Sequence, residues 1–482
     1  MPRLPIQRPR SGTARNSPQG VTRFCNGTAI PCLRRQSPQH RLLRAARRPP
    51  HCRADSGADP EFARPAVGCM TNPYLAVIAI VLGVAVLQVG NGLFGAFLPI
   101  RMSQDGAQAT LVGLVVTGHA AGFLVGCLTV PLLIAAFGHI RAFAVFAAAT
   151  AAATLAFAID PNARLWIALR IVTGFCSAGL FTVAESWLND MTPSSARGRV
   201  VSFYMLFNKM AFAGGQLLLL SGDVAGFAFF MIASACYSLS LVPVALNTAA
   251  SPKAPRVAAF SAAELVRIAP AGTVGCFVAG LVNTAVLNIA PVYLGGIGES
   301  TDNIAWLLAS MQIGSLLLQW PLGWLSDRID RRIVIAIASG AVTLASLAIA
   351  VLGDVGPGLL VALFALWGGF GLSIYAICIA HANDFVDRSE VVRLSSGLLL
   401  AWAAGSVIGP TMATLLMDAL GPAMLFFYAA AVSAALTGFV LWRMTKRAAR
   451  PASEREPFVN LPATSPALAE LDPRGPSRES GV

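Results

Sequence analysis

Gly323-Trp324-Leu325-Ser326-Asp327-Arg328-Ile329-Asp330-Arg331-Arg332 places five charges in ten residues between two long apolar runs. The runs cover about 303–325 and 333–352. Each can cross the ~30 Å hydrocarbon core of a bilayer as a helix. Five charges are too costly to leave in hydrocarbon, so the chain turns here at a water-facing surface.

Working outward, similar apolar runs recur from Tyr74 to Trp442. They lie near 74–99, 110–136, 142–159, 165–188, 200–221, 226–246, 269–294, 303–325, 333–352, 357–380, 394–417 and 422–442. Composition agrees. The 482 residues are 56% hydrophobic and 12% charged, about half the charge of a soluble globular domain. The mean hydropathy is +0.66. An ordinary soluble enzyme is excluded, and a polytopic, all-α membrane protein of twelve transmembrane helices is expected.

The short connections set the topology. Arg141, Arg197, Arg199, Lys253, Arg256, Arg267, Arg328, Arg331, Arg332, Arg388, Arg393, Arg443, Lys446, Arg447 and Arg450 fall on one side, and Arg101 and Arg164 on the other. Fifteen against two marks the first side as cytoplasmic. Both termini are then cytoplasmic.

The formal charge of +12 belongs mostly to residues 1–69, which hold 13 of the 35 Lys and Arg and 3 of the 23 Asp and Glu. Nucleic acid is therefore not an expected partner. With ten prolines and no apolar run, this leader reads as disordered, and Met70 as a natural start. A targeting segment and a basic tail for anionic lipid are the competing readings. The domains expected are 70–246 and 269–443, each of six helices, joined by a cytoplasmic linker at 247–268. Within the linker, Ser261-Ala-Ala-Glu264 has the form of a capping box. Residues 444–482 are polar and Pro-rich, and read as a disordered tail.

The halves echo each other at an offset of 192 residues: Asn91 with Asn283, Pro99 with Pro291, Gly122 with Gly314, Gly179 with Gly371. Repeated bundles of this kind place a transporter's site at their interface. Nine cysteines form no CxxC, so neither zinc nor a redox pair is expected.

The decapeptide matches Gly-x-Leu-x-Asp-Arg-x-x-Arg-Arg at Gly323, Asp327, Arg328, Arg331 and Arg332. It resembles the cytoplasmic loop motif of the major facilitator superfamily. Arg170-Ile-Val-Thr-Gly174 and Thr192-Pro-Ser-Ser-Ala-Arg197-Gly-Arg199 resemble that family's fourth span and the loop after it. Ala184-Glu185-Ser-Trp-Leu-Asn189 and His381-Ala-Asn-Asp384 are similar to its bacterial YcaD-like branch. The resemblance covers about 70–445 and implies two six-helix bundles rocking about a central site. The first-half equivalent, Gly138-His139-Ile-Arg141, lacks the Asp-Arg pair.

Polar groups within spans are functional candidates. Arg170 and Glu185 lie roughly 60° apart on one helix, and Lys209 and Gln216 within about 20°. Gln88 with Asn91, and Gln312 with Gln319, share faces; His119 lies on span two and Asn283 on span seven. Gln88, Asn91, His119, Arg170, Gln216, Asn283, Gln312 and Gln319 are expected to line a substrate cavity. Glu185, Lys209 and Asp384 are expected to act in proton coupling or gating. A structural pairing of Glu185 with Lys209, Arg197 or Arg199 is its competing role.

No P-loop, HExxH, GxSxG or EF-hand loop occurs, so neither enzyme activity nor a cofactor is expected. The reading is a monomeric secondary transporter, coupled to protons or another ion. It inclines to export of a small, partly apolar organic solute. Uptake of a sugar or organic anion is the alternative. A non-transporting membrane sensor on the same fold, which would need a soluble output domain, is the third reading.

Overall fold

The computed structural model describes residues 73–160, 162–193, 196–246, 259–352, 356–448, 450–451, 455–472 and 474. The leader 1–69 and linker residues 247–258 lie outside them. The first bundle runs α1 (Pro73–Gln104), α2 (Ala109–Phe137), α3 (His139–Ala156), α4 (Ala163–Met191), α5 (Arg197–Leu217), α6 (Ala228–Leu239) and α7 (Leu241–Ala245), the last two forming one broken span. The linker helix α8 (Ala262–Ile268) follows. The second bundle runs α9 (Pro270–Gly296), α10 (Thr301–Arg328), α11 (Arg331–Val351), α12 (Pro357–Asn383), α13 (Val391–Leu420) and α14 (Met424–Lys446).

Eleven of these spans are long and apolar enough to cross a membrane among the described residues. Helix α10 is long enough but not apolar enough by the same measure. Its Gln312, Ser315 and Gln319 are buried inside the protein, so lipid never meets them. On the outside, Ile159, Leu132, Leu344 and Trp320 are each at least 70% exposed. An apolar shell around a buried polar interior is the pattern of a protein solvated by lipid. The chain is a multi-pass membrane protein.

The two halves repeat one set of pairings. Helix α2 packs on α4, α1 on α5 and α3 on α6; α10 packs on α12, α9 on α13 and α11 on α14. The paired glycines explain part of this. A Cβ on Gly122 would lie 2.0 Å from the Ile171 carbonyl oxygen, and one on Gly314 would lie 1.9 Å from that of Ala365. Only a residue without a side chain permits such close backbone approach. Phe94, Phe97, Phe157 and Phe230 pack edge to face in the first core. Tyr293, Phe364 and Phe426 do so in the second.

Two expectations need correction. The first span does not stop at Pro99, because α1 continues to Gln104 with that proline inside it; α9 likewise passes through Pro291. Buried membrane helices tolerate proline where neighbours satisfy the freed backbone. The tail is not uniformly disordered. Residues 455–472 are described, with Leu461, Ala467, Leu468 and Leu471 buried and a 3-10 helix over Pro466–Leu471. Its polar average hides a few leucines that find a surface to cover. The capping box forms as read: the Ser261 side chain accepts from the Glu264 backbone N–H, and Glu264 accepts from the Ser261 backbone N–H.

Candidate functional site

A cavity of about 360 Å³ lies between the bundles. All eight residues expected to line it do so: Gln88, Asn91, His119, Arg170, Gln216, Asn283, Gln312 and Gln319. They converge because α1, α2, α4 and α5 face α9 and α10 across one space, with each polar stripe turned inward. Asn91 donates to Gln88 at 2.9 Å and accepts from Tyr237 at 3.1 Å. Its repeat partner Asn283 donates to the Gly371 carbonyl at 3.1 Å. Both amides are thus oriented by their own bundle.

Two cations face this space. Arg170 is 5% exposed and lies over the Phe94 ring at 4.9 Å, within cation–π range. It forms no ion pair among the described residues, and its Nε is buried without a partner. Lys209 reaches across from α5 to α10, donating to Gln319 at 2.8 Å and to the Ser315 hydroxyl. Its partners are neutral, and it joins the two bundles. No Asp or Glu lines the cavity among the described residues.

The bundles meet closely on the face opposite the arginine-rich loops. The Asp418 carboxylate of α13 accepts from the backbone N–H groups of Ala109 and Thr110 at 3.0 and 2.7 Å. It caps the start of α2, where a negative charge is favourable. One turn or two further in, Thr117 and Thr411 share a hydrogen bond of 2.8 Å.

Glu185 is fully buried. Its partners are hydroxyl donors: Tyr204 at 2.8 Å, Thr464 and Ser465. The cationic pairing considered from sequence, with Lys209, Arg197 or Arg199, does not form among the described residues. Lys209 turns the other way, toward α10.

This duplicated architecture around a polar central cavity agrees with comparison to known proteins. The family model described as Major Facilitator Superfamily matches residues 80–299 and 272–473, so each half matches in turn. The chain belongs to the Major Facilitator Superfamily. It is 28% identical over 362 residues to the uncharacterized MFS-type transporter YcaD of Salmonella typhimurium, covering 74% of this chain and 93% of that protein. Against YcaD of Escherichia coli O7:K1 the identity is 26% over 365 residues, covering 75% and 94%. The crystal structure of the nucleoside transporter NupG superposes with a TM-score of 0.62 at 14% identity, covering 77% of this chain and 99% of that one. That likeness concerns the fold. Membership makes this a secondary transporter, which binds a small-molecule substrate in a membrane.

In this MFS chain the decapeptide is a clamp inside the second bundle. Arg331 is 1% exposed and bonds Asp384 at 2.8 Å, Asp327 at 3.2 Å and the Ser326 hydroxyl at 3.0 Å. It thereby ties α10, α11 and the end of α12. Arg332 pairs with Asp330 at 2.6 Å. Arg328 stacks on Trp324 at 3.5 Å. Gly323 leaves room for the Phe458 ring, which a Cβ there would meet at 2.3 Å. Asp384 belongs to this clamp and does not line the cavity. Burial pushes its carboxyl above the usual carboxylate range, against the opposing charge of Arg331.

Sequence reading missed Asn208, Thr284, Asn288 and Ser406, which also line the cavity. The criterion that found the others, a polar residue inside a span, applies equally to Asn208 and Asn288. Thr284 and Ser406, bonded to each other at 2.8 Å, carry no such signal, since serine and threonine are common in membrane helices. The tail segment Leu461–Thr464 in the cavity wall had no signal at all.

Proposed function

We propose that this transporter carries a small organic anion with a planar or apolar part, by alternating access and with proton coupling. It works as a monomer in the bacterial inner membrane with both termini cytoplasmic. The observation that carries the proposal is the pair of cavity cations, Arg170 and Lys209, with no carboxylate beside them among the described residues. A buried, uncompensated cation is costly unless an anion completes it. Amides from both bundles supply orienting hydrogen bonds, and Phe94, Phe123 and Trp402 supply faces for an apolar body. Orientation rests on fifteen positive residues against two in the loops. Coupling is assigned to Glu185, a buried carboxylate held among the described residues by the hydroxyls of Tyr204, Thr464 and Ser465. Export of partly apolar compounds is the second reading, favoured by the aromatic lining.

The test is flux in proteoliposomes over aromatic carboxylates, dicarboxylates, sugars and nucleosides, with and without a pH gradient. An anion is expected to be transported. Arg170→Gln is expected to cut its flux at least tenfold and to alter any neutral solute less than threefold. Glu185→Gln is expected to remove the stimulation by the gradient. Equal loss for neutral and anionic solutes would defeat the anion reading; undiminished stimulation in Glu185→Gln would defeat the coupling role.

A further inference from the structure

The tail follows a matched path between the bundles. It begins at the charged clamp, where Arg331 donates to the Glu456 carbonyl and the Phe458 N–H donates to Asp327 at 2.9 Å. Arg388 adds an ion pair to Glu456 at 2.7 Å. The chain then turns inward. Gln319, a cavity residue, donates to Asn460, and Leu461–Thr464 form part of the cavity wall. Thr464 and Ser465 donate to Glu185 of the first bundle. The 3-10 helix Pro466–Leu471 packs on α4 from one bundle and α13 from the other. Ala467, Leu468 and Leu471 are each at most 1% exposed. Asn189 of α4 donates to Glu470 at 2.7 Å, and Asn383 of α12 donates to Asp472 at 3.3 Å.

The ordering of so many residues has an entropic cost that only specific contacts offset. Here polar contacts alternate with buried leucine, and both bundles contribute partners. The opposite face is meanwhile held together by the Asp418 cap and the Thr117–Thr411 bond. The cavity would open toward the arginine-rich face, and the tail occupies that opening.

We propose that residues 455–472 are an intramolecular plug: docked, they close the cavity on the arginine-rich face and hold the bundles in one arrangement, and they must withdraw before a solute passes. The clamp residues thus receive the tail as well as tying the second bundle. This inference does not depend on substrate charge or on proton coupling.

Accessibility of the cavity tests it without a known substrate. Gly95 lines the cavity and has free space beside its Cα, since a Cβ there would meet only Asn288, at 4.0 Å. The chain carrying Gly95→Cys is placed in lipid nanodiscs and labelled with a hydrophilic maleimide, counting the increment over the same chain without that substitution. Labelling is expected to be slow in the full chain. Leu468→Asp combined with Leu471→Asp is expected to accelerate it at least tenfold, and deletion of residues 455–482 to do the same. A synthetic peptide of residues 455–472 added to the truncated chain should slow it again. Rates within threefold of the full chain in the double variant would overturn the plug, as would a truncated chain that the peptide does not slow.

Discussion

Single residues at the arginine-rich face do two kinds of work. Arg331 is a buried cation with several acceptors, and Asp330 is a cap. The Asp330 side chain accepts from the Arg332 backbone N–H at 3.0 Å at the start of α11. Burial pulls its carboxyl up, but the hydrogen bonds and charge of Arg332 outweigh that and hold it below the usual carboxylate range. A depressed carboxylate contributes stability above its unfolded pKa and loses it as pH falls through the folded one. Asp330→Ala is therefore expected to cost about 1 kcal/mol near neutral pH, as loss of a cap does. The gap to the parent should narrow as the pH drops below about 4. Thermal unfolding in detergent at pH 7 and pH 3.5 reads this, and an equal gap at both would contradict it.

At the scale of helices, the paired glycines make a sharper case than the paired asparagines. Gly122 and Gly314 each sit against a backbone carbonyl of the partner helix, so the repeat is a repeat of close helix approach. Gly122→Val and Gly314→Val are expected to destabilise the folded chain by about 1–3 kcal/mol each, as overpacking does. At Gly340, by contrast, a Cβ would meet nothing within 4 Å. Gly340→Ala should be neutral or stabilising by about 0.5–1 kcal/mol, through helix propensity alone. Unfolding midpoints of the three variants test the contrast; destabilisation by Gly340→Ala as large as by the valines would refute it. Helix α10 shows the complementary point. Its modest apolarity follows from the glutamines it carries to the cavity, so its weakness as a span and its role in the site have one cause.

At the scale of the whole molecule, the bundles meet mainly where α2 packs on α13 and α5 on α10. The Asp418 cap on α2 joins α13 to α2 at the face opposite the tail. Asp418→Ala is expected to favour opening there by about 1 kcal/mol, roughly a fivefold shift in the ratio of two conformations. Distance distributions between spin labels on α2 and α13 would report it. An unchanged distribution would remove Asp418 from the closure.

The sequence by itself determined the twelve spans, the duplication, the loop motif and the eight amides and ionisable residues of the cavity. Each rests on a local rule: apolar length for a span, and the cost of a polar group in lipid for the cavity. Those rules act on one helix at a time. The tertiary structure decided what depends on two helices meeting. It gave Glu185 hydroxyl partners in place of a cation, turned Lys209 across to α10, and paired Asp384 with Arg331 in the clamp. It also brought Leu461, Leu468 and Leu471 from a polar tail to the surface beside Glu185, about 280 residues away in sequence. Composition averaged over the tail cannot register them, because burial depends on the surface a residue reaches and not on the neighbours it has in the chain.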